Sequence, residues 1–131
     1  MELYFQKERD EDFFEVCELI RKEVYPEYIS VDNIACIATT KEAKSFYLSI
    51  KTYQNIINKV RCGYLTKIKS RLSRKLYLEI WMRYIKIKRD NPELTSMDCA
   101  RIIAEQKAPQ FYMSEMYAKN LYYKLLKNNP K

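Results

Sequence analysis

An all-α protein of about six helices is predicted, built as two tandem three-helix repeats in one compact domain, and three observations predict it. The chain of 131 residues holds one glycine, whereas sandwiches, barrels and phosphate-binding loops all need glycine turns. Apolar residues recur at three- and four-residue spacing in segment after segment, which places them on one helix face. Finally, the run Ala43-Lys44-Ser45-Phe46-Tyr47-Leu48-Ser49 returns 65 residues later as Ala108-Pro109-Gln110-Phe111-Tyr112-Met113-Ser114. A recurrence at one fixed period marks a repeated supersecondary unit.

The first helix opens at Asp10-Glu11-Asp12, where acidic side chains meet the positive end of the helix dipole. Phe13, Val16, Cys17, Ile20 and Val24 form its apolar face, and Tyr25-Pro26 ends it, since the residue before proline is pushed out of the α region. Ser30 is the expected N-cap of a second helix reaching about Thr40, with Ile34, Ile37 and Ala38 inward. Ser49 caps the third, whose stripe is Ile50, Tyr53, Ile56, Ile57 and Val60. Gly63 stands where a left-handed helix stop is wanted.

A long fourth helix is expected from Thr66 to Asp90. Its apolar residues Ile68, Leu72, Leu76, Ile80 and Tyr84 step by four, a stripe that drifts by about 40° per step. Such a helix is buried on different faces at its two ends, or it breaks near Ser73. Thr95 and Asp98 have capping-box spacing for the fifth helix. Ser114 caps the sixth, with Tyr117, Ala118, Leu121, Tyr122 and Leu125 inward and Asn128 at its end.

The repeat holds position by position. Residues 35–63 align with 100–128 without a gap. Ala35/Ala100, Ile37/Ile102, Asn55/Asn120 and Lys59/Lys124 are among the identical pairs, and Gly63 aligns with Asn128. The expected division is a first repeat at 1–63, including the acidic N-terminal segment, and a second, basic repeat at 64–131.

Charge is uneven. Residues 1–40 carry four basic and ten acidic side chains, and residues 41–131 carry twenty basic and seven acidic. A basic part beside an acidic segment points to a polyanionic partner. No histidine is present, which removes the usual general base and commonest metal ligand. No Ser-His-Asp set, P-loop or metal-ligand spacing occurs, so a non-enzymatic protein without cofactor or metal is expected. The acidic group Asp10, Glu11, Asp12, Glu15 and Glu18 reads as a helix start. Cys17, Cys36, Cys62 and Cys99 form no C-x-x-C pair and are expected to be small buried hydrophobes. With no signal peptide and no membrane-length apolar run, the expected compartment is the cytoplasm and no membrane partner is expected.

Two short helices joined by a connector and preceded by a longer helix resemble the helix-turn-helix arrangement of DNA-binding proteins. That resemblance implies a third helix of each repeat that enters the major groove. The polar faces that would read nucleic acid are Lys51, Asn55 and Lys59 in the first repeat. In the second they are Lys119, Asn120, Tyr123, Lys124 and Lys127. Asn can bond adenine in bidentate fashion, and Lys can reach phosphate or guanine. A second basic surface, Lys67, Arg71, Arg74 and Lys75 on one side of the fourth helix, would contact phosphates. The connector here is about seven residues without glycine, longer than the family's usual turn. The Ala-Pro-x-Phe-Tyr-x-Ser run is similar to one found in short uncharacterised proteins of gut bacteria and their mobile elements. Together these imply a small DNA-binding (or RNA-binding) regulator or accessory factor of a mobile element or phage. The alternative is a structural or adaptor helical protein, such as a virion or complex component. It would bind a protein partner or form a homo-oligomer through the acidic N-terminal helix.

Overall fold

The computed structural model describes residues 5–23 and 29–128. Six α-helices are found among them: α1 (Gln6–Glu23), α2 (Val31–Thr39), α3 (Ile50–Arg61), α4 (Arg71–Asp90), α5 (Ser96–Ala104) and α6 (Glu115–Asn128). No strand occurs among the described residues; one isolated antiparallel bridge joins Ala43 to Ala108. The expected stop of the first helix at Tyr25-Pro26, and Val24 on its face, lie outside the described residues.

The starts of α2, α3, α5 and α6 follow the capping residues, whereas α1 begins at Gln6, ahead of the expected Asp10-Glu11-Asp12. The side chains of Ser30, Ser49 and Ser114 accept the amides of Asn33, Thr52 and Tyr117, each satisfying one of the orphan N–H groups of a first turn. Thr95 and Asp98 form a full capping box. Two hydrogen bonds from the Thr95 backbone and side chain hold the Asp98 carboxyl below the usual carboxylate range. Gly63 takes φ of 82° after α3, the left-handed stop its position predicts.

The fourth helix is shorter than expected. Tyr64–Lys67 form a separate 3-10 helix, and Ser70 caps α4 through the amide of Ser73. Arg74 Nη2 donates to the carbonyl of Ile68 (2.5 Å), which ties down the break. Ile68 and Leu76 are both buried, yet Ile68 lies in the link before α4 and Leu76 within the helix. This resolves the drifting stripe: the chain changes direction where one straight helix would have rotated its apolar face away.

The chain divides into two compact units, which are not its sequence halves. One, the inserted unit, contains Tyr47–Gln106 and therefore α3, α4 and α5. The other, the split unit, contains Phe5–Phe46 and Lys107–Lys131, and so α1, α2 and α6. Each unit thus takes a long and a short helix from one stretch of the sequence and its third helix from another. In the split unit α2 packs on α6 and both pack on α1; in the inserted unit α3, α4 and α5 pack on one another. The consecutive helices α2 and α3, expected to make a helix-turn-helix pair, fall in different units, as do α5 and α6. The physical reason lies in the connectors.

Those connectors match closely. Tyr47 and Tyr112, 65 residues apart, have φ of 59° and 54°, a left-handed backbone that costs a non-glycine residue about 1–3 kcal/mol. Ala43, Phe46 and Leu48 are buried, as are Ala108, Phe111 and Met113. The bend at the tyrosine turns the chain just before each third helix, which then packs with the helices of the other repeat. At the base of the insertion Ala43 and Ala108 exchange two backbone hydrogen bonds of 2.9 Å. Equivalent residues of the two copies therefore bond each other reciprocally.

The core repeats as well. Tyr53, Ile56 and Ile57 of α3 are buried at the positions of Ala118, Leu121 and Tyr122 in α6. Ile34, Ala35 and Ala38 of α2 match Cys99, Ala100 and Ile103 of α5. The long helices differ more. Asp12 is buried in α1, and its Oδ2 accepts the amide of Lys44 at 2.9 Å. The residue equivalent to Lys44 is Pro109, which has no N–H to satisfy; the buried residues of α4 are Leu76, Ile80 and Tyr84, with no carboxylate among them.

Candidate nucleic-acid interface

The inserted unit is where unpaired positive charge collects. Tyr47–Gln106 hold thirteen basic and five acidic side chains, whereas the described residues of the split unit hold ten of each. Ion pairing sharpens the contrast. In the split unit Arg9–Asp10, Arg21–Glu18, Lys44–Glu15 and Lys107–Glu42 lie within 4 Å; in the inserted unit Arg83–Glu79 is the one such pair among the described residues.

On α3, Lys51, Asn55 and Lys59 are exposed on the face opposite buried Tyr53, Ile56 and Ile57. Asn55 and Lys59 then line an open groove of about 600 Å³ between α3 and α4, together with Thr52, Ser73 and Tyr77. Leu48, Ile56 and Leu76 supply its apolar lining. The Lys59 ammonium lies 5.3 Å above the Tyr64 ring, a cation–π contact that aims the lysine. An amide, a cation, two hydroxyls and a phenol ring around one groove suit a phosphate with a base edge beside it.

The second basic surface is redistributed by the break before α4. Lys67 lies in the 3-10 helix and does not share a helix side with Arg71, Arg74 and Lys75, as a continuous helix would have required. Lys67, Arg71 and Lys75 are exposed, and Arg74 keeps part of its surface open. Arg74 spends part of its donor capacity on the Ile68 carbonyl, so it is partly a structural residue. Arg61 and Arg83 are more fully engaged. Arg61 donates to the Tyr84 hydroxyl at 2.7 Å, and Arg83 donates to Glu79 and Gln106.

In the split unit, Asn120, Lys124 and Lys127 lie on the outer side of α6 and Lys119 is half-buried. Their surroundings differ from those of α3. The Tyr123 hydroxyl meets Asp32, whose hydrogen bond and charge raise its pKa, and Glu115 opens the helix. The two Asn/Lys pairs thus belong to separate units of unlike charge.

What sequence reasoning missed here is the α4 side of the groove. Ser73 and Tyr77, four residues apart on one face, carried a faint signal; Tyr64 beside the glycine stop carried another. The cysteines divide instead of sharing one role: Cys17 and Cys99 are buried, Cys36 is half-buried and Cys62 is exposed. Burial, with Glu18 adding, pushes the Cys17 thiol from 9.0 up to about 12. Three acidic residues of α1 each have a partner of their own: Asp12 holds the Lys44 amide, Glu15 the Lys44 ammonium, and Glu18 the Tyr122 hydroxyl at 2.8 Å. No group of three or more metal-ligating side chains is assembled among the described residues, and none of their helices is long and apolar enough to cross a membrane. Comparison with protein-family models, with curated proteins and with solved structures finds no significant match for this chain.

Proposed function

We propose that the protein binds nucleic acid without catalysing a reaction, and that it does so through the inserted unit. The observation that carries this reading is the groove in which Asn55 and Lys59 meet α4 on a surface of thirteen basic and five acidic side chains. Lys51, Lys67, Arg71 and Lys75 supply phosphate contacts around it, and Asn55 supplies a base-edge contact. Lys119, Asn120, Lys124 and Lys127 contribute less, because acidic groups offset their charge. Double-stranded DNA is the preferred target, and the role is that of an accessory factor or regulator of a mobile element or phage. The reading rests on the charge distribution and on the resemblance of the connector run. The packing of α2 on α6 removes the helix-turn-helix geometry as its support.

The test is a gel-shift or anisotropy titration against duplex DNA, single-stranded DNA and duplex RNA over a salt series. Binding to the duplex should weaken steeply with salt, with a log–log slope of about −0.9 per phosphate neutralised. Absence of binding at low salt overturns the reading; preference for single strands or RNA replaces its target.

A further inference from the structure

The apolar part of one face of α4 has no use in the reading above. Leu78, Trp81, Met82 and Ile85 recur at three- and four-residue spacing, so they share one side of the helix. Buried Leu76, Ile80 and Tyr84 lie on another side. Leu78 is 42% exposed and Met82 59%; Trp81 and Ile85 are half-buried. Trp81, Met82 and Ile85 line a shallow cleft of about 500 Å³ with Lys86, Arg89 and Asp90. Arg71 and Lys75 continue the same side toward the N-terminus. None of these four cations makes an ion pair with a described residue. An apolar centre between two pairs of cations is costly to leave in water, and its charges select what covers it.

A second copy of this face does not fit, since cations would meet cations. An acidic amphipathic helix with an apolar anchor does, and the chain itself carries one. On α1, Glu8, Glu11, Glu15 and Leu19 follow one another at three- and four-residue spacing along one outer side of the helix. Leu19 is 52% exposed, although Phe13, Cys17 and Ile20 of the same helix are buried. Glu8 and Glu11 make no ion pair with a described residue. The dimensions agree: Glu11 and Leu19 are about 12 Å apart along α1, and Met82 and Arg89 about 10 Å apart along α4.

We propose that α1 of one copy docks on the exposed face of α4 of another, with Leu19 against Met82 and Leu78 and with Glu8 and Glu11 toward Lys86 and Arg89. The two surfaces are different, so the contact is head-to-tail. It closes into a ring or runs on as an open chain of copies. Each copy offers one donor helix and one acceptor helix.

Light scattering and sedimentation on nucleic-acid-free protein test this. The mass should rise above 15.9 kDa with concentration at low salt and fall back at high salt. Leu19→Asp and Met82→Asp, both at exposed sites, should each abolish association with an unchanged melting curve. An equimolar mixture of the two variants should regain a species of twice the monomer mass. In that mixture one intact α1 meets one intact α4. Should either variant fold poorly, Glu11→Lys and Arg89→Glu serve the same purpose, each weakening self-association severalfold. A wild-type protein that stays monomeric, a mixture that stays monomeric, or association indifferent to salt overturns the proposal.

Discussion

The two units are built to one plan and carry unlike electrostatics. Each sets a long helix, a short helix and a third helix around a small core, and each third helix buries side chains at equivalent positions. Yet one unit balances ten basic against ten acidic side chains among its described residues, while the other keeps a surplus of eight positive charges from thirteen and five. The architecture therefore tolerates a large change of surface without a change of core pattern. The basic surplus is not needed to hold three helices together, because the neutral unit packs its own three without one. That is why the surplus is assigned to binding.

The comparison breaks most sharply at the core. Tyr122 in the split unit and Tyr53 in the inserted unit are fully buried, and truncation to alanine should cost about 3–5 kcal/mol in either, as for other large aromatic side chains. Each unit also owns a buried cysteine, Cys17 in one and Cys99 in the other. Thiol labelling during native-state exchange should therefore show Tyr122→Ala exposing Cys17 and Tyr53→Ala exposing Cys99. Cys62 should label first in every variant. Equal exposure of both thiols in both variants would mean that the two units open as one.

Binding comes next in size. Lys51→Glu with Lys59→Glu should weaken duplex DNA binding by at least about tenfold. The salt slope should become shallower by about 0.9 for each phosphate that is no longer neutralised. Lys119→Glu with Lys124→Glu should change affinity by less than about threefold, since acidic groups already offset that face. Equal weakening by both pairs would give the two third helices equal roles.

Much of the fold was legible. Ser30, Ser49, Thr95 and Ser114 announced helix starts because capping is a local interaction between a side chain and the next turn. The 65-residue period announced two equivalent connectors. What stayed hidden was which third helix joins which pair. Nothing local distinguishes α3 from α6 as the partner of α2, because both present the same buried positions, and the connectors do not either, since Tyr47 and Tyr112 take nearly the same φ. The break before α4 was half legible, in the drift of its apolar stripe. For the site, Asn55 and Lys59 were readable from the polar face of α3, but the α4 wall needed tertiary packing.

Smaller effects sharpen the correspondence between repeats. Ser49→Ala and Ser114→Ala remove equivalent caps and should each cost about 1 kcal/mol by urea denaturation. Asp98 is the carboxylate of the capping box, and its pKa is lowered in the folded state. Its contribution is present above the unfolded pKa and lost as pH falls through the folded one. Asp98→Asn should therefore flatten the acid limb of the stability profile. Cys17 works in the opposite sense. Its raised pKa leaves stability intact below about pH 9 and removes it as pH climbs toward 12. Cys17→Ala should remove that alkaline component.

The way the chain leaves the split unit after Phe46 and returns at Lys107 sets an order of events on the ribosome. The helices α3, α4 and α5 are contiguous, so their unit is complete once Gln106 has emerged. The helices α1 and α2, made before it, have to wait for α6. From Phe46 to the end of α6 at Asn128 the delay is roughly 4–16 s at translation speeds of about 5–20 residues per second. During it Phe13, Ile20 and Ile34, all buried in the finished protein, have no α6 to cover them. The helices made before the insertion thus fold after it, and the Ala43–Ala108 clasp is fastened only once the inserted unit has been made.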